Sequence, residues 1–501
     1  MTLAELIASP DLERAVIDRH GNLNIEVTAL TDDSRMVKPG SLFVAVKGER
    51  VDGHAFIHQS VSAGAVALVV QDPWSAPGPS VPAIRVRDSR WALGRLAARF
   101  QRDPSSRLRM IGVTGTNGKT TVTYLCKGIL ESAGRRVGII GTVAYQIGSE
   151  RVNASHTTPG AVELQALLAR MVEAGLDSAV MEVSSHALAM DRTAGCEFDA
   201  AVFTNLTQDH LDFHADMEDY FNAKLRLFSG MAPVGKKIGP KRAIVNADDP
   251  RGSRVLAASG VPVWTYSIRE PSDIRAEDVR LSIDGTTFTA VTPLGRFTVE
   301  SRLVGEHNVY NMLAAIGVGL SEGLSPDHIR AGIRAVHNVP GRFERVETGQ
   351  NFTVIVDYAH TEDALIRLLN AAQALKTGRI ITVFGCGGDR DRGKRPKMGR
   401  AAVERSDLVI LTSDNPRTED PLAILREVEE GIREVRDLAR TQYQIIADRR
   451  QAIEAAIKEA RPGDMVLIAG KGHEDYQIIG RNRFHFDDRE VAQEALEKLR
   501  R

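Results

Sequence analysis

Strand and helix patterns alternate along most of the chain beyond residue 108. An apolar strand begins at Arg109 and runs through a glycine-rich turn into an apolar-periodic helix, TTVTYLCKGILESAG. Further apolar segments follow in the order VGIIGTV, SAVMEV, DAAVFTN and RAIVNA. Because parallel strands need long crossover connections, usually helices, this alternation predicts an α/β fold with a parallel sheet.

The chain has 501 residues, which is too many for one ordinary hydrophobic core and suggests three domains. Short strands and turn signals fill the first hundred residues, and the polar stretch Arg102–Ser106, which contains a proline, is typical of a linker. A second strand–helix alternation begins after the segment Asn338–Gly341. We predict a small α/β domain at 1–106, a central parallel-sheet domain at 107–338 and a Rossmann-like domain at 339–501.

The turn after the strand at Arg109 carries the strongest local motif, GVTGTNGKTT at residues 112–121. Between a strand and a helix, such glycines let backbone N–H groups face phosphates, and the helix N-terminus favours negative charge. Lys119 would reach the terminal phosphates, and Thr120 would bind Mg²⁺. The first glycine lies one residue earlier than in the usual phosphate-loop pattern. The loop predicts binding of ATP or GTP without choosing between them.

Charge and cysteine usage exclude several classes of protein. The 64 basic and 65 acidic residues give a net charge of -1, which argues against a chain built to coat nucleic acid or an anionic membrane. The three cysteines form no CxxC pair, so neither a disulfide framework nor a thiolate zinc site is expected. The N-terminus lacks a signal-peptide pattern, and no apolar run reaches about 18 residues. We expect a cytoplasmic protein that does not insert into a membrane.

Further motifs follow the phosphate loop in order: EVSSH at 182–186, TNLTQDHLD at 204–212 and GEHNVYN at 305–311. With GTNGKTT at 115–121 they resemble the Mur ligase family, and the resemblance runs through the entire chain. It implies an ATP-dependent enzyme that joins an amino acid to a carboxylate through an acyl phosphate. Folylpolyglutamate synthetases share the central fold and the loop, so they stay an alternative.

Glu182 and His210 are predicted at two successive strand ends after the phosphate loop, where a carboxylate suits a hard cation. Periodicity alone makes Lys224 a solvated lysine, whereas the resemblance implies that CO₂ converts it to a carbamate. A carbamate requires an unprotonated amine, so the site must lower a pKa of about 10.4. The resemblance implies two Mg²⁺ ions held by Thr120, Glu182, His210 and carbamylated Lys224. The implied catalytic residues are Lys119, Glu182, His210 and Lys224.

The resemblance assigns binding residues for both nucleotide substrates. The ATP-binding set is Gly115, Thr116, Asn117, Gly118, Lys119, Thr120, Thr121, Asn308, Arg342 and Asp357. The set for the UDP-muramoyl dipeptide is Ser34, His156, Thr157, Thr158, Ser184 and Arg192. Hydroxyl groups are modest donors to carboxylates and amides, and an arginine can bind a carboxylate through two bonds. Met190 stands where some relatives carry a polar residue, so no contact is assigned to it.

The C-terminal part carries the signals for the amino-acid substrate. Residues 387–400, GGDRDRGKRPKMGR, hold six basic residues against two acids, and most of these side chains are expected to be solvated. DNPR at 414–417 resembles the branch of the family that adds meso-diaminopimelate. Arg417 would pair with the second carboxylate, which L-lysine lacks. The implied diaminopimelate-binding residues are Arg390, Asp414, Asn415, Pro416, Arg417, Gly470 and Glu474, with Glu474 meeting the ammonium.

The resemblance therefore implies a ligase of peptidoglycan precursor synthesis. It would add meso-diaminopimelate to the D-Glu γ-carboxylate of UDP-N-acetylmuramoyl-L-Ala-D-Glu, forming ADP and phosphate, and would act as a monomer without a nucleic-acid partner. The alternatives are an L-lysine-adding ligase of the same family, a folylpolyglutamate synthetase-like ligase and a non-catalytic nucleotide-binding regulator. No motif identifies the group that takes the proton from the incoming amine.

Overall fold

The structure is a computed structural model that describes residues 1–48, 51–74, 80–231, 237, 239–435 and 442–499. Three large sheets follow one another along the chain, and each is covered by apolar side chains on both faces. We refer to the N-terminal, central and C-terminal regions by these sheets. The predicted boundaries at 106/107 and 338/339 stay predictions. Among the described residues, no helix combines the length and the apolar character needed to cross a membrane.

The N-terminal region contains a five-stranded sheet of order β1-β5-β4-β3-β2, in which β1 alone is antiparallel to its neighbour. Its elements are α1 Leu3–Ile7, α2 Pro10–Ala15, β1 Val16–His20, β2 Ala29–Thr31, β3 Ser41–Val44, α3 Ile57–Ser62, β4 Ala65–Val70, β5 Ala83–Val86 and α4 Ser89–Phe100. Asp88 caps α4 by accepting hydrogen bonds from the backbone of Arg90 and Trp91, so the helix begins directly after β5.

The central region contains an eleven-stranded sheet of order β16-β15-β14-β13-β12-β11-β6-β10-β7-β8-β9. Its first elements are β6 Arg109–Thr114, α5 Lys119–Ser132, β7 Val137–Ile140, β8 Tyr145–Ile147, β9 Glu150–Val152, α6 Ala161–Glu173, β10 Ser178–Glu182, α7 Ser185–Ala189, β11 Ala200–Phe203 and α8 Met217–Ser229. The others are β12 Arg242–Asn246, α9 Gly252–Ala258, β13 Val263–Ser267, β14 Ile274–Ser282, β15 Gly285–Thr292, β16 Gly295–Ser301, α10 Glu306–Ser321 and α11 Pro326–Ala335. Strands β10 and β11 flank β6 in parallel, so their carboxyl ends surround the glycine-rich loop.

The C-terminal region contains a six-stranded sheet of order β17-β18-β22-β19-β20-β21 and a separate hairpin, β23–β24. Its elements are β17 Glu344–Arg345, β18 Thr353–Asp357, α12 Glu362–Leu375, β19 Ile380–Phe384, α13 Lys394–Arg405, β20 Leu408–Leu411, α14 Pro421–Arg433, β21 Gln442–Ile445, α15 Arg449–Glu459, β22 Met465–Ala469, β23 Tyr476–Ile479, β24 Asn482–His485 and α16 Asp488–Leu499. Strands β18 to β22 pair in parallel, as the alternating pattern predicts.

Two glycines bring α5 and α11 unusually close together. A Cβ atom at Gly332 would lie 2.3 Å from the Cα atom of Ile129, and a Cβ atom at Gly128 would lie 2.7 Å from the carbonyl oxygen of Gly332. Both distances are too short for a side chain, so the contact depends on glycine at both positions. The helix that begins at the phosphate loop is thereby packed tightly against α11 on its far side.

Two local predictions are wrong. His210 does not end a strand, because β11 ends at Phe203 and His210 lies in the following loop with a left-handed φ of 56°. The stretch Arg102–Ser106 is not a free linker, because Ser105 is buried and donates to the carbonyl of Gly195.

Most of the basic side chains in the segment 387–400 are exposed, as predicted. The segment is not a loop throughout, because α13 begins at Lys394, and Arg395 is completely buried.

Candidate active site

The glycine-rich loop lies between β6 and α5 with two glycines in positive-φ conformations. Gly115 has φ 142° and Gly118 has φ 89°, and a Cβ atom at Gly118 would lie 2.4 Å from Oδ1 of Asn311. Lys119 curls back over the loop, and its Nζ donates to the carbonyls of Gly115 at 3.0 Å and Thr116 at 2.8 Å. The loop therefore places a lysine and a helix N-terminus where phosphate groups bind.

Lys224 is almost completely buried, although its helix pattern predicts a surface residue. It lies on α8, and its Nζ donates to the carbonyl of Gly115 at 2.9 Å, the same oxygen that Lys119 contacts. Burial, followed by the charge of Lys119, lowers the pKa of Lys224 well below its usual value, against the opposing charge of Asp209. The amine is thereby biased toward the neutral form.

Glu182 lies at the end of β10, and Thr142, which follows β7, holds its carboxylate in place. The backbone N–H and the hydroxyl of Thr142 donate to the two carboxylate oxygens at 2.9 and 3.0 Å. A Cβ atom at Gly141 would lie 2.4 Å from Oε1, so glycine is needed beside the carboxylate. Thr142 also shares a hydrogen bond of 3.0 Å with Thr157. Thr142 thereby links Glu182 to a predicted dipeptide-binding residue.

His210 reaches the same neighbourhood from its loop. Partial burial lowers the pKa of His210, Asp209 opposes this, and the charges of Lys119 and Lys224 lower it further. Its ring lies 4.7 Å from that of His186. The structure thus brings His210 and both lysines together, and Glu182 acts on Lys119 through its charge.

A cavity of about 450 Å³ opens beside the phosphate loop between the central and C-terminal regions. It is lined by predicted ATP-binding residues together with side chains from α10 and α12. The predicted residues that line it are Asn117, Gly118, Thr120, Thr121, Asn308, Arg342 and Asp357. Arg342 donates to the hydroxyl of Thr120 at 3.1 Å, so a residue after the second predicted boundary reaches the start of α5.

The predicted dipeptide-binding residues form one connected group in the central region. The hydroxyl of Thr158 donates to the carbonyl of Glu182 at 2.8 Å and accepts from the backbone N–H of Ser184 at 3.0 Å. Arg192 donates to the carbonyl of Thr158 at 2.9 Å and to the sulfur of Met190 at 3.3 Å.

Two further predicted dipeptide-binding residues, His156 and Ser34, lie outside this group. His156 is exposed, and its backbone is bonded to the hydroxyl of Tyr145. Ser34 lies apart in the N-terminal region, in a short turn at Ser34–Met36. Asp32, two residues before it, interacts with the charge of Arg192.

The hairpin β23–β24 holds the backbone of Arg417 on both sides. The N–H of Arg417 donates to Ile478 at 3.1 Å, and its carbonyl accepts from Gly480 at 2.7 Å, while Arg417 itself has φ 51°. Its guanidinium donates to the carbonyl of Gly388 at 2.8 Å. Partial burial, followed by the charge of Arg390, lowers the pKa of Arg417. Arg417 and Arg390 therefore concentrate positive charge beside the hairpin β23–β24.

Two acidic side chains, Asp414 and Glu474, act on Arg417 through their charges. Burial, followed by the charge of Asp414, raises the pKa of Glu474. Glu474 accepts a hydrogen bond of 2.9 Å from Asn415, and the completely buried Lys471 lies 3.5 Å from the same oxygen. Gly470 is required beside this group, because a Cβ atom there would lie 2.5 Å from the Asp414 carboxylate. Neighbouring cationic and acidic groups suit a molecule that carries both charges.

Comparison with known proteins identifies the family. Residues 26–101 match the family model described as Mur ligase family, catalytic domain, residues 113–319 match Mur ligase middle domain, and residues 341–472 match Mur ligase, glutamate ligase domain. A protein of Gloeobacter violaceus is 50% identical over 100% of this chain and 99% of its own, and one of Geobacter metallireducens is 47% identical over 98% of both. The chain belongs to the Mur ligase family.

Both relatives are named UDP-N-acetylmuramoyl-L-alanyl-D-glutamate--2,6-diaminopimelate ligase. A solved structure of a protein with that name is 32% identical to this Mur ligase, covers 100% of it and 99% of its own chain, and has a TM-score of 0.72. A folylpolyglutamate synthase of Mycobacterium tuberculosis reaches a TM-score of 0.62 at 20% identity, over 80% of this chain and 93% of its own. That second likeness concerns the fold alone. The three-region α/β architecture and the ligase class predicted from the sequence are confirmed.

Several residues of this Mur ligase site were missed by sequence reasoning. Thr142 and Asp209 lie in loops that follow strands, and Lys471 lies next to the predicted residue Gly470. A position after a strand end or beside a predicted residue is the sequence signal that could have identified them. Asp363, in contrast, reaches the phosphate loop from the C-terminal region. Its role depends on how two regions pack, which no local pattern encodes.

Proposed function

We propose that this Mur ligase adds meso-diaminopimelate to the D-Glu γ-carboxylate of UDP-N-acetylmuramoyl-L-Ala-D-Glu, with conversion of ATP to ADP and phosphate. The product is a precursor of peptidoglycan. The observation that carries the proposal is the fixed, half-buried Arg417, which interacts with the charges of Arg390 and Glu474. Diaminopimelate supplies a carboxylate at each end, so one carboxylate relieves the repulsion between the arginines and an ammonium meets Glu474. L-lysine offers no second carboxylate to the arginines.

The first chemical step is transfer of the γ-phosphoryl group of ATP to the D-Glu carboxylate. A carboxylate oxygen forms a bond to the γ-phosphorus as the bond to the β–γ bridging oxygen breaks, which gives an acyl phosphate and ADP. Lys119 and the N-terminus of α5 face the phosphates and stabilise the developing charge. Thr157, Thr158, Ser184 and Arg192 hold the dipeptide beside Glu182.

The side chains around the loop fit Mg²⁺, which would neutralise phosphate charge during transfer. Glu182 offers carboxylate oxygens, Thr120 a hydroxyl and His210 a ring nitrogen. A cationic Lys224 beside Lys119 would repel the metal, whereas its carbamate would supply oxygen ligands. The buried amine, biased toward its neutral form, is the species that reacts with CO₂. We therefore propose two Mg²⁺ ions and a carbamate on Lys224 as part of the working site.

In the second step the neutral amine of diaminopimelate attacks the acyl carbon and a tetrahedral intermediate forms. The carbon–oxygen bond to the phosphate then breaks, and the proton lost by the amine leaves with the released phosphate. Bringing the amine to the acyl phosphate requires the C-terminal region to close on the central region, which also excludes water from a hydrolysable intermediate. The contact between Arg342 and Thr120 spans these two regions. A cytoplasmic location and a monomeric state remain proposals, which follow from the substrates and from the absence of any required second subunit in this scheme.

Phosphate release with ATP, Mg²⁺ and the UDP-muramoyl dipeptide tests the proposal directly, with meso-diaminopimelate and L-lysine compared in parallel. We expect release with diaminopimelate and little with lysine. In R417A the preference should fall by about 10- to 100-fold, because a hydrogen bond to a charged group is lost. A wild-type preference for lysine would contradict the proposed amino-acid substrate, and release that depends on folate would contradict the proposed UDP-muramoyl dipeptide substrate.

A further inference from the structure

The carboxylate of Asp363 joins the C-terminal region to the phosphate loop. Its Oδ2 accepts hydrogen bonds from the side-chain amide of Asn117 at 2.9 Å and from the hydroxyl of Thr207 at 3.1 Å. The same oxygen accepts from Nε of Arg367 at 2.9 Å. Three donors from three separate segments therefore meet at one oxygen atom, two of them in the central region and one in the C-terminal region.

The backbone of Asn117 is fixed entirely within the central region by its neighbours there. Its N–H donates to Oδ1 of Asn205 at 3.0 Å, and its carbonyl accepts from the hydroxyl of Thr204 at 2.6 Å. Its side-chain amide donates to the hydroxyl of Thr207 at 3.2 Å within the central region and to Asp363 of the C-terminal region at 2.9 Å. The side chain of a phosphate-loop residue therefore contacts the C-terminal region directly.

A carboxylate beside a phosphate-binding loop is electrostatically unfavourable unless something offsets it. Two features do so here. Asp363 lies in the first turn of α12, where the helix N-terminus favours negative charge. Arg367 lies one turn later on the same helix, pairs with Asp363 and lines the nucleotide cavity. The arrangement offsets the negative charge of the carboxylate and places a cation beside the nucleotide cavity.

We propose that Asp363 is a positioning residue that sets the phosphate loop for ATP when the C-terminal region closes. The inference rests on the proposed function, since it concerns the same ATP-dependent ligation. The hydrogen bond to Asn117 forms only when the two regions are in contact, and the amino-acid pocket belongs to the C-terminal region. Docking of that region therefore orders the loop that holds the phosphates.

The sign of the effect on ATP separates positioning from simple charge. If Asp363 acted only as a negative charge near the phosphates, its removal would leave Arg367 unpaired in the cavity and would tighten ATP binding. If it positions the loop, its removal weakens ATP binding. A hydrogen bond to a charged group corresponds to about 10- to 100-fold in an equilibrium constant, so we expect D363A to raise KM for ATP and Kd for ADP by about tenfold.

The matched control is E362Q, which removes the neighbouring carboxylate from the same helix turn and leaves the three bonds of Asp363 in place. Diaminopimelate-dependent phosphate release by the wild type is measured first, because its failure would reject the proposed function and not this inference. KM for ATP, KM for diaminopimelate and kcat are then compared among wild type, D363A, D363N and E362Q, and Kd for ADP is measured directly by calorimetry.

We expect D363A to raise KM for ATP and Kd for ADP, D363N to recover part of the loss through its remaining carbonyl acceptor, and E362Q to match the wild type. The double variant N117A/D363A should bind ADP no more weakly than N117A alone, because the hydrogen bond through which Asp363 positions the loop is already gone. Tighter ADP binding in D363A, equal effects of D363A and E362Q, or additive effects with N117A would each overturn the proposal. A thermal unfolding scan of every variant excludes a loss caused by misfolding.

Discussion

Replacing Arg395 with methionine measures how much the contacts of its guanidinium stabilise the C-terminal region around the proposed diaminopimelate-binding residues. The guanidinium donates to Glu419 at 2.8 and 3.0 Å, to Glu427 at 2.7 Å and to the carbonyl of Gly387 at 3.2 Å. Removal of one partner of a buried ion pair costs about 3–5 kcal/mol, because the remaining charges lose their compensation. The two glutamates keep 21% and 25% of their side-chain exposure, so we expect the lower end, about 3 kcal/mol.

Arg392 provides the matched control, since it pairs with the same two glutamates from a side chain that is 65% exposed. R392M should cost at most about 1 kcal/mol, because water compensates an exposed pair. Hydrogen exchange of amides in α13 and α14 reports the local opening free energy where the two arginines act. If R395M lowers protection no more than R392M does, burial is not what makes the Arg395 contacts strong.

The same variant has a pH signature. The hydrogen bond to Arg395 is the largest cause that lowers the pKa of Glu419 to about 2, from an ordinary value of 4.5. A carboxylate with a lowered folded-state pKa stabilises the fold above pH 4.5 and loses that contribution as the pH falls toward 2. The difference in protection between wild type and R395M should therefore be smaller at pH 4 than at pH 7. An unchanged difference would contradict this assignment.

Two further predictions concern the chemistry. K119A should slow diaminopimelate-dependent phosphate release by about 100- to 1000-fold, the usual loss for a preorganised donor to a developing charge, while K127A on the exposed face of the same helix should stay within about twofold. Because burial raises the pKa of Glu474, its charged form is lost at a higher pH than for an ordinary glutamate, so KM for diaminopimelate should rise as the pH falls toward that pKa. The pH profile of KM for E474Q should be flat in this range, and a profile unchanged from wild type would exclude Glu474 as the group that meets the ammonium.

The sequence predicts those parts of the site that sit where a local pattern ends. Lys119 follows a glycine loop between a strand and a helix, and Glu182 ends a buried strand, so motif and element coincide. Arg417 is identified by the motif around it, although the hairpin that fixes its backbone lies about sixty residues later in the chain. The family resemblance supplies the roles, and the three sheets confirm the alternation that predicted the fold.

The parts that the sequence does not predict depend on distant partners. Lys224 occupies a polar position on α8, yet the surface that this face meets is the phosphate loop, more than a hundred residues earlier. Arg395 lies in a basic run, and its burial depends on two acids that stand 24 and 32 residues later. A loop separates His210 from the end of β11 at Phe203, so the expectation that ligands lie directly at strand ends fails for His210. Each case needs tertiary packing, which periodicity does not contain.

Because α5 carries Lys119, its close contact with α11 makes ATP binding depend on residues that lie far from the nucleotide. Gly128 lies nine residues after Lys119, about 14 Å along the helix axis, and touches no substrate in the proposed scheme. A methyl group there or at Gly332 would still displace the helix that carries Lys119. Selection for nucleotide turnover therefore acts on two glycines in the interior, and their invariance in an evolving population would record a mechanical requirement and not a chemical one.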